Sequence, residues 1–129
     1  MRRSLLLAGF VCAALVLRAE AAEPDIKLGV LADMTGTSAD IGGAGSVAAV
    51  ELAVEDFGGT VAGRHVTVLS ADHLAKPDVG AQIASRWYDV DGVDAILDLP
   101  VSSVALAVQQ VATSRNKVVL VTAGTAWEL

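Results

Sequence analysis

The stretch at residues 94–122, DAILDLPVSSVALAVQQVATSRNKVVLVT, decides the fold class. Residues 94–99 predict a short strand, residues 102–115 a helix, and residues 117–122 a second strand rich in valine. A strand, a crossover helix and another strand in this order form a parallel pair with a right-handed connection. The stretch therefore predicts an α/β protein.

The same alternation continues toward the N-terminus. Two further strands and two further helices are indicated by apolar runs and by helical spacing, with strands at residues 26–32 and 65–71 and helices at residues 43–57 and 77–90. Gly58 and Gly59 are expected to end the first helix, and Pro77 to begin the second. The order βαβαβαβ predicts an open parallel sheet with helices on both faces.

The first residues read as an export signal. Arg2 and Arg3 precede an uncharged run at residues 4–17, and small residues follow near Glu20. This pattern predicts a signal peptide at residues 1–21, cleavage near Ala21 or Ala22, and a periplasmic domain at residues 22–129.

Charge and cysteine content exclude several kinds of function. The chain has 9 Lys and Arg against 15 Asp and Glu, a formal charge of −6, which makes nucleic acid a poor partner. Cys12 is the one cysteine, and it lies inside the predicted signal. We therefore expect no disulfide, no cysteine nucleophile and no thiolate metal site in the exported part.

Candidate ligand contacts follow the third and fourth predicted strands. In an open parallel sheet, ligands bind outside the carboxyl ends of the strands. Ser102 and Ser103 begin a helix there, and a serine hydroxyl with free helix N–H groups suits a carboxylate. Ser102 as the cap of its own helix is the alternative. Near them, residues 123–125, Ala-Gly-Thr, combine small residues with a hydroxyl.

The loop after the first strand is expected to form one wall of a cleft, with Thr35, Thr37 and Ser38 at its edge. A second feature of interest is His73, which we interpret as a loop histidine with a solvated or hydrogen-bonded ring, because no second histidine lies at ligand spacing. No metal site is predicted. Trp87 and Tyr88 are expected in the core and at its margin.

A dinucleotide-binding enzyme is the hypothesis from another class. Residues 43–48, GAGSVA, match the pattern GxGxxA, and Asp72 ends the next strand where a ribose-binding acid would lie. However, a long loop separates Ala32 from Gly43, whereas the fingerprint needs a tight turn directly off the strand. No nucleophile, base and orienting group come together in the sequence, so we expect neither a cofactor nor catalysis.

Taken together, these segments resemble a known family. The segments that carry the resemblance are DMTG at 33–36, IGG at 41–43, GSVAAVELAVEDFGG at 45–59, SADHLAKPD at 70–78 and TAGTAWEL at 122–129. They look like the periplasmic substrate-binding proteins of branched-chain amino-acid-type ABC transporters. The resemblance implies a type I periplasmic binding fold, in which two α/β lobes close on a small ligand and deliver it to a membrane permease.

The resemblance also implies roles for particular residues. The family holds the carboxylate and amino group of its ligand with a serine that maps onto Ser102 or Ser103, and with a turn that maps onto Ala123, Gly124 and Thr125. Ile41 stands where amino-acid binders often carry an aromatic residue. The implied ligand is an amino acid or a related small organic acid or amide.

The length of the chain sets a further expectation. Family members have several hundred residues, so 129 residues correspond to part of the first lobe. We expect a truncated, monomeric form with weak or no ligand binding and low stability. A periplasmic ligand-sensing domain of the same fold, signalling to a receptor instead of a permease, is the alternative within this resemblance.

Overall fold

Strands and helices alternate along residues 23–129, the part of the chain that the computed structural model describes. The predicted signal peptide at residues 1–21 lies outside the described residues. The elements are β1 Ile26–Ala32, α1 Gly43–Asp56, β2 Thr60–Val61, β3 Arg64–Asp72, α2 Pro77–Arg86, a π-helical turn Trp87–Asp91, β4 Ala95–Asp98, α3 Ser102–Ser114 and β5 Val118–Val121. The predicted order of strands and helices is confirmed.

One short strand was not predicted. β2 pairs antiparallel with the start of β3 through Thr60 and Val61, and the turn between them has left-handed residues at Ala62 (φ 52°) and Gly63 (φ 80°). Such a turn matches the twist of a two-stranded hairpin. Two exposed residues show no alternation, so the sequence carried no periodic signal for this strand.

The two glycines after α1 end the helix as predicted. Gly58 (φ 95°) and Gly59 (φ 69°) both adopt left-handed backbone. Their N–H groups bond back to the carbonyl oxygens of Glu55 at 2.9 Å and Val54 at 2.8 Å, which satisfies two carbonyls of the last turn. The chain then turns sharply into the β2–β3 hairpin.

The sheet has the order β2-β3-β1-β4-β5, so β1 lies at its centre. β1 is parallel to both β3 and β4, and the register pairs Ala32 with Asp72 and Leu31 with Asp98. Because all four long strands run in one direction, the loops that follow β1, β3, β4 and β5 leave the sheet at the same edge. We call this the carboxyl edge.

The helices α2 and α3 cover one face of the sheet and enclose the core. Fully buried side chains on this face include Leu31 and Ile96 from the strands and Val104 and Val108 from α3. Trp87 and Tyr88 are also buried there, which confirms their predicted place in the core. No helix among residues 23–129 is both long and apolar enough to cross a membrane.

The helix α1 covers the opposite face, and it does so incompletely. An apolar trough lies between α1 and the sheet, with Leu28, Val66 and Leu97 on its floor. Val118 and Leu120 of the edge strand β5 also belong to this face and are 54% and 56% exposed. Helices therefore lie on both faces of the sheet, as predicted, but they bury the two faces unequally.

Candidate functional site

Polar side chains gather at the carboxyl edge, directly after the central strands. Asp33 follows β1, Asp72 and His73 end and follow β3, and Asp98 ends β4. Asp33 and His73 are fully buried and Asp98 is 4% exposed. Buried charged groups are rare unless they are hydrogen-bonded, so the partners of these side chains define what the edge does.

Ser102 joins the start of α3 to the turn after β5. Its Oγ accepts the backbone N–H of Thr125 at 3.1 Å and that of Ala126 at 3.3 Å. The two segments that the sequence singled out as ligand contacts are therefore in direct contact with each other. Whether they hold a ligand stays a prediction.

The capping alternative for Ser102 is wrong by one residue. α3 begins with Val101 as its N-cap, in extended backbone (φ −98°, ψ 110°), and the Val101 carbonyl accepts the N–H groups of Val104 and Ala105. Ser102 is thus the first residue inside the helix, and the helix end has no side-chain cap. The Ser102 hydroxyl is directed across to the neighbouring turn instead.

The remaining predicted contacts occupy the same end of the sheet or its loops. Ser103 is exposed at the first turn of α3, and Thr125 is exposed in the turn after β5. Gly124 is tightly packed, because a Cβ there would collide with the Leu129 side chain and would lie 2.7 Å from Cγ1 of Val121. Ile41, in the loop before α1, is 70% exposed.

The loop after β1 is shaped by Asp33, a role that the sequence analysis missed. Its carboxylate accepts the backbone N–H of Gly36 at 3.0 Å and that of Ser38 at 2.9 Å. An aspartate that follows a buried strand and precedes a run of glycine and hydroxyl residues is the available signal for such a turn. Of the hydroxyls predicted at the cleft edge, Thr35 donates to Oδ2 of Asp72 at 2.7 Å.

Asp72 holds two loops at once. Its Oδ1 accepts the N–H of Met34 at 3.2 Å and that of Leu74 at 2.7 Å. Burial raises the pKa of Asp72, but the Thr35 hydroxyl and these two N–H groups outweigh it and bring the pKa below its usual value. The carboxylate is therefore ionised at neutral pH, and both of its oxygens accept hydrogen bonds.

This engagement argues against the dinucleotide hypothesis. A ribose-binding acid accepts hydrogen bonds from the ribose hydroxyls, whereas both oxygens of Asp72 already accept hydrogen bonds from the loops that follow β1 and β3. The loop at residues 33–42 also separates β1 from α1, so no tight glycine turn joins them.

His73 has a hydrogen-bonded ring, which is the second of the two environments that the sequence predicted for it. Its ring is fully buried, and Nδ1 accepts the N–H of Ala75 at 3.0 Å. Nε2 and Oδ2 of Asp98 are buried without a hydrogen-bond partner among the described residues. Burial lowers the pKa of His73, against the opposing attraction of Asp33, Asp72 and Asp98, so the ring is neutral at neutral pH.

Asp33, Asp72 and His73 also have the spacing that a cation needs, with one atom from each within 4.8 Å of the others. The hydrogen bonds described above already use both carboxylates and Nδ1 of the histidine. A metal ion at Nδ1 or Nε2 would have to displace the Ala75 N–H or change the tautomer that it fixes. The cluster thus holds loops together, and the expected lack of a metal site stays a prediction.

Comparison with known proteins places this chain in a family. The family model "Periplasmic binding protein" matches residues 25–129. A periplasmic binding protein from Burkholderia mallei is 38% identical, with a TM-score of 0.78 over 81% of this chain and 28% of its own. No curated protein sequence gives a significant match.

Two further solved structures are described by their ligands or transport system. A branched chain amino acid ABC transporter periplasmic ligand-binding protein from Burkholderia xenovorans is 47% identical, with a TM-score of 0.76 over 79% of this chain and 27% of its own. A solute binding protein of an ABC transporter from Rhodopseudomonas palustris, in complex with 3,4-dihydroxy benzoic acid, is 30% identical, with a TM-score of 0.72 over 78% of this chain and 27% of its own.

The chain thus spans less than a third of the length of these relatives. The family match covers almost all of the described residues, and the sheet order, the helices on both faces and the loops at the carboxyl edge lie within it. The chain belongs to the periplasmic binding protein family of ABC transporter solute-binding proteins, and it has part of the type I periplasmic binding fold.

Proposed function

We propose that this chain contributes the carboxylate-binding edge of a periplasmic solute-binding protein that supplies an ABC transporter with an amino acid or a related small organic acid. The observation that carries the proposal is the contact of the Ser102 hydroxyl with the N–H groups of Thr125 and Ala126. This contact brings a helix N-terminus, a hydroxyl and a turn of small residues to one place at the carboxyl edge.

The start of α3 has the chemistry that a carboxylate needs. The first hydrogen bonds within the helix come from Val104 and Ala105, so the N–H groups of Ser102 and Ser103 have no partner inside the helix. The positive end of the helix dipole adds to their attraction for an anion. Ser103 and Thr125 are exposed beside them and supply further hydroxyl donors.

The relatives support a carboxylate as the shared element of the ligand. One is described as a branched chain amino acid transporter protein, and another holds 3,4-dihydroxy benzoic acid. These ligands differ in size and in the group beyond the carboxylate, but each carries one. We therefore assign Ser102, Ser103, Ala123, Gly124 and Thr125 to the carboxylate and amino group, and Ile41 to the variable part of the ligand.

The proposal extends to the location and partner of the protein. The Burkholderia xenovorans relative is described as a periplasmic protein of an ABC transporter, which implies a membrane permease as partner and a periplasmic location. The signal peptide predicted at residues 1–21 fits this location. Because the matched part is 28% of the Burkholderia mallei chain, we expect the edge alone to bind ligand weakly, since tight sites bury most of the ligand surface.

The test compares the binding of leucine and of leucinamide to the purified chain. NMR spectra recorded at millimolar ligand concentrations measure the binding. Leucinamide keeps the side chain and the ammonium group but lacks the carboxylate. We expect leucine, and benzoate in a second titration, to shift the backbone amide signals of Ser102, Ser103 and Thr125, and leucinamide to leave them in place.

The variants Ser103→Ala and Thr125→Val are expected to weaken these shifts. Thr113→Ala, at the exposed far end of α3, is the matched control and should leave them unchanged. Equal shifts with leucine and leucinamide would contradict the carboxylate assignment. Shifts that survive in both site variants would show that the ligand contacts another part of the chain.

A further inference from the structure

His73 is a buried histidine whose ring nitrogens have fixed and different roles. Because Nδ1 accepts the N–H of Ala75, Nδ1 carries no proton, and the single proton of the neutral ring is on Nε2. The side chain begins close to α2, where a Cβ on Gly80 would lie 3.7 Å from Cβ of His73. This tautomer makes the side chain a hydrogen-bond acceptor toward its own turn.

The turn that follows β3 needs such acceptors. Leu74 (φ 55°) and Ala75 (φ 53°) are consecutive residues in the left-handed region, which is unfavourable for residues with a Cβ. Each of their N–H groups is held by a side chain: Leu74 by Oδ1 of Asp72 at 2.7 Å and Ala75 by Nδ1 of His73 at 3.0 Å. Two local side-chain acceptors therefore maintain the strained turn.

The same turn is linked to the first loop. The Asp72 carboxylate that holds Leu74 also accepts the N–H of Met34 and the hydroxyl of Thr35. A change in the turn at residues 72–75 therefore reaches residues 34 and 35, which belong to the loop that Asp33 shapes.

We propose that His73 is a positioning residue whose unprotonated Nδ1 holds the turn at residues 72–75, and through Asp72 the loop at residues 33–38, and that protonation of the ring releases both. A protonated Nδ1 would be a donor facing the Ala75 N–H, so the hydrogen bond would be lost. The charged groups that face the ring are Asp33 at the end of β1, Asp72 on β3 and Asp98 on β4, while α2 presents Gly80. These carboxylates would attract the imidazolium away from Ala75.

The direction of the pH effect follows from the burial of the ring. Burial lowers the pKa of His73 in the folded chain below its ordinary value of 6.5. The contribution of the neutral ring is thus fully present above about pH 6.5, and it is lost as the pH falls from there through the folded-state pKa. An effect of His73 protonation on ligand binding rests on the proposed function, because the loop at residues 33–38 matters to binding only if the carboxyl edge binds a ligand.

The experiment measures the turn itself, without ligand. Protection factors for amide hydrogen exchange are followed at Ala75 and Met34 by NMR from about pH 7.5 to about pH 5. In the unchanged chain we expect both factors to fall together, by about tenfold, as the pH is lowered. His73→Asn places Oδ1 where Nδ1 lies and does not titrate, so it should protect Ala75 at both pH values. His73→Leu should lose that protection at every pH.

His65→Asn is the matched control, because His65 is exposed at the opposite end of β3 and should leave the pH profile unchanged. A pH profile in His73→Asn equal to that of the unchanged chain would overturn the proposal, as would full protection of Ala75 in His73→Leu. If His73→Leu does not fold, the Asn variant still decides the question. A negative result in the hydrogen-exchange experiment would not affect the leucine titration. A negative result in the leucine titration would likewise leave the hydrogen-exchange result valid.

Discussion

The two faces of the sheet have similar sequences and different environments. On the face covered by α2 and α3, Leu31 and Ile96 are fully buried. On the α1 face, Leu120 is 56% exposed, and Gly43 is the one residue of α1 that is buried. Both faces are apolar, as in parallel sheets generally, so the strands alone do not determine burial. The helix that covers a face, and the place of a strand at the centre or the edge of the sheet, together decide which apolar residues become core.

The largest expected contrast comes from truncating one leucine on each face. Leu31→Ala removes fully buried methyl groups and should lower the free energy of unfolding by about 2–5 kcal/mol. Leu120→Ala, on the α1 face, should lower it by less than about 1 kcal/mol, because the side chain already contacts water. Urea unfolding followed by circular dichroism measures both. Similar losses would mean that the α1 face is as well packed as the other.

Glycine to alanine substitutions should have opposite signs on the two faces. A Cβ on Gly29 of β1 would lie 2.5 Å from Cζ3 of Trp87, so Gly29→Ala should destabilise the chain by about 1–3 kcal/mol. A Cβ on Gly45 of α1 meets nothing within 4 Å, so Gly45→Ala should stabilise it by up to about 1 kcal/mol through helix propensity. Thermal unfolding of the two variants gives the comparison. A stabilising Gly29→Ala would contradict the close packing of Trp87.

Tyr88 reports on the packed face through its ionisation. It is the one tyrosine of the chain, and its hydroxyl donates to the carbonyl of Val118 at 3.0 Å. Burial raises the pKa of Tyr88 to about 12. Tyrosinate absorbance should therefore appear near pH 12 in the folded chain and near pH 10 in urea. Tyr88→Phe supplies the baseline, and ionisation near pH 10 without urea would show that the ring is solvated.

The raised pKa of Tyr88 also predicts that the folded chain becomes less stable at high pH. The pKa is raised on folding, so the contribution of Tyr88 is fully present below about pH 10 and is lost as the pH rises toward 12. The urea midpoint should fall across this range, and less steeply in Tyr88→Phe.

The smallest effect on stability is expected from a polar residue on the α1 face. Leu120→Thr keeps a residue that favours strands and removes an exposed apolar side chain. We expect little change in the urea midpoint and less aggregation at high concentration, because exposed apolar patches promote association. Static light scattering on the variant and on the unchanged chain measures this. Equal scattering would mean that Leu120 takes no part in aggregation.

Most of the fold could be predicted from the sequence because its signals are local. Helical spacing, the Gly58-Gly59 pair and Pro77 placed α1 and α2 within a few residues of their observed bounds. β2 was missed because two residues are too few for a periodic pattern. The alternation of elements then fixed the parallel sheet, since connections of this kind are nearly always right-handed crossovers.

The site was less predictable because its hydrogen bonds depend on the register between strands. The sequence brought Ser102 and Thr125 to one edge, yet it did not show that the Ser102 hydroxyl binds the N–H of Thr125. The hydrogen bonds from Met34 and Thr35 to Asp72 arise where β1 and β3 end side by side, which no single segment encodes. Left-handed backbone at Leu74 and Ala75 was likewise hidden, since neither residue is glycine.

The two outer edges of the sheet differ in the strand that occupies them. β2 is two residues long and antiparallel, and it occupies one outer edge beside β3. It offers too few backbone groups for a further strand to pair along its length. β5 lies at the other outer edge, parallel to β4, and its free side presents four residues. A strand that joins this sheet, from the same polypeptide or from another, can therefore pair with the four residues of β5 or with residues 66–72 of β3, which β2 leaves uncovered.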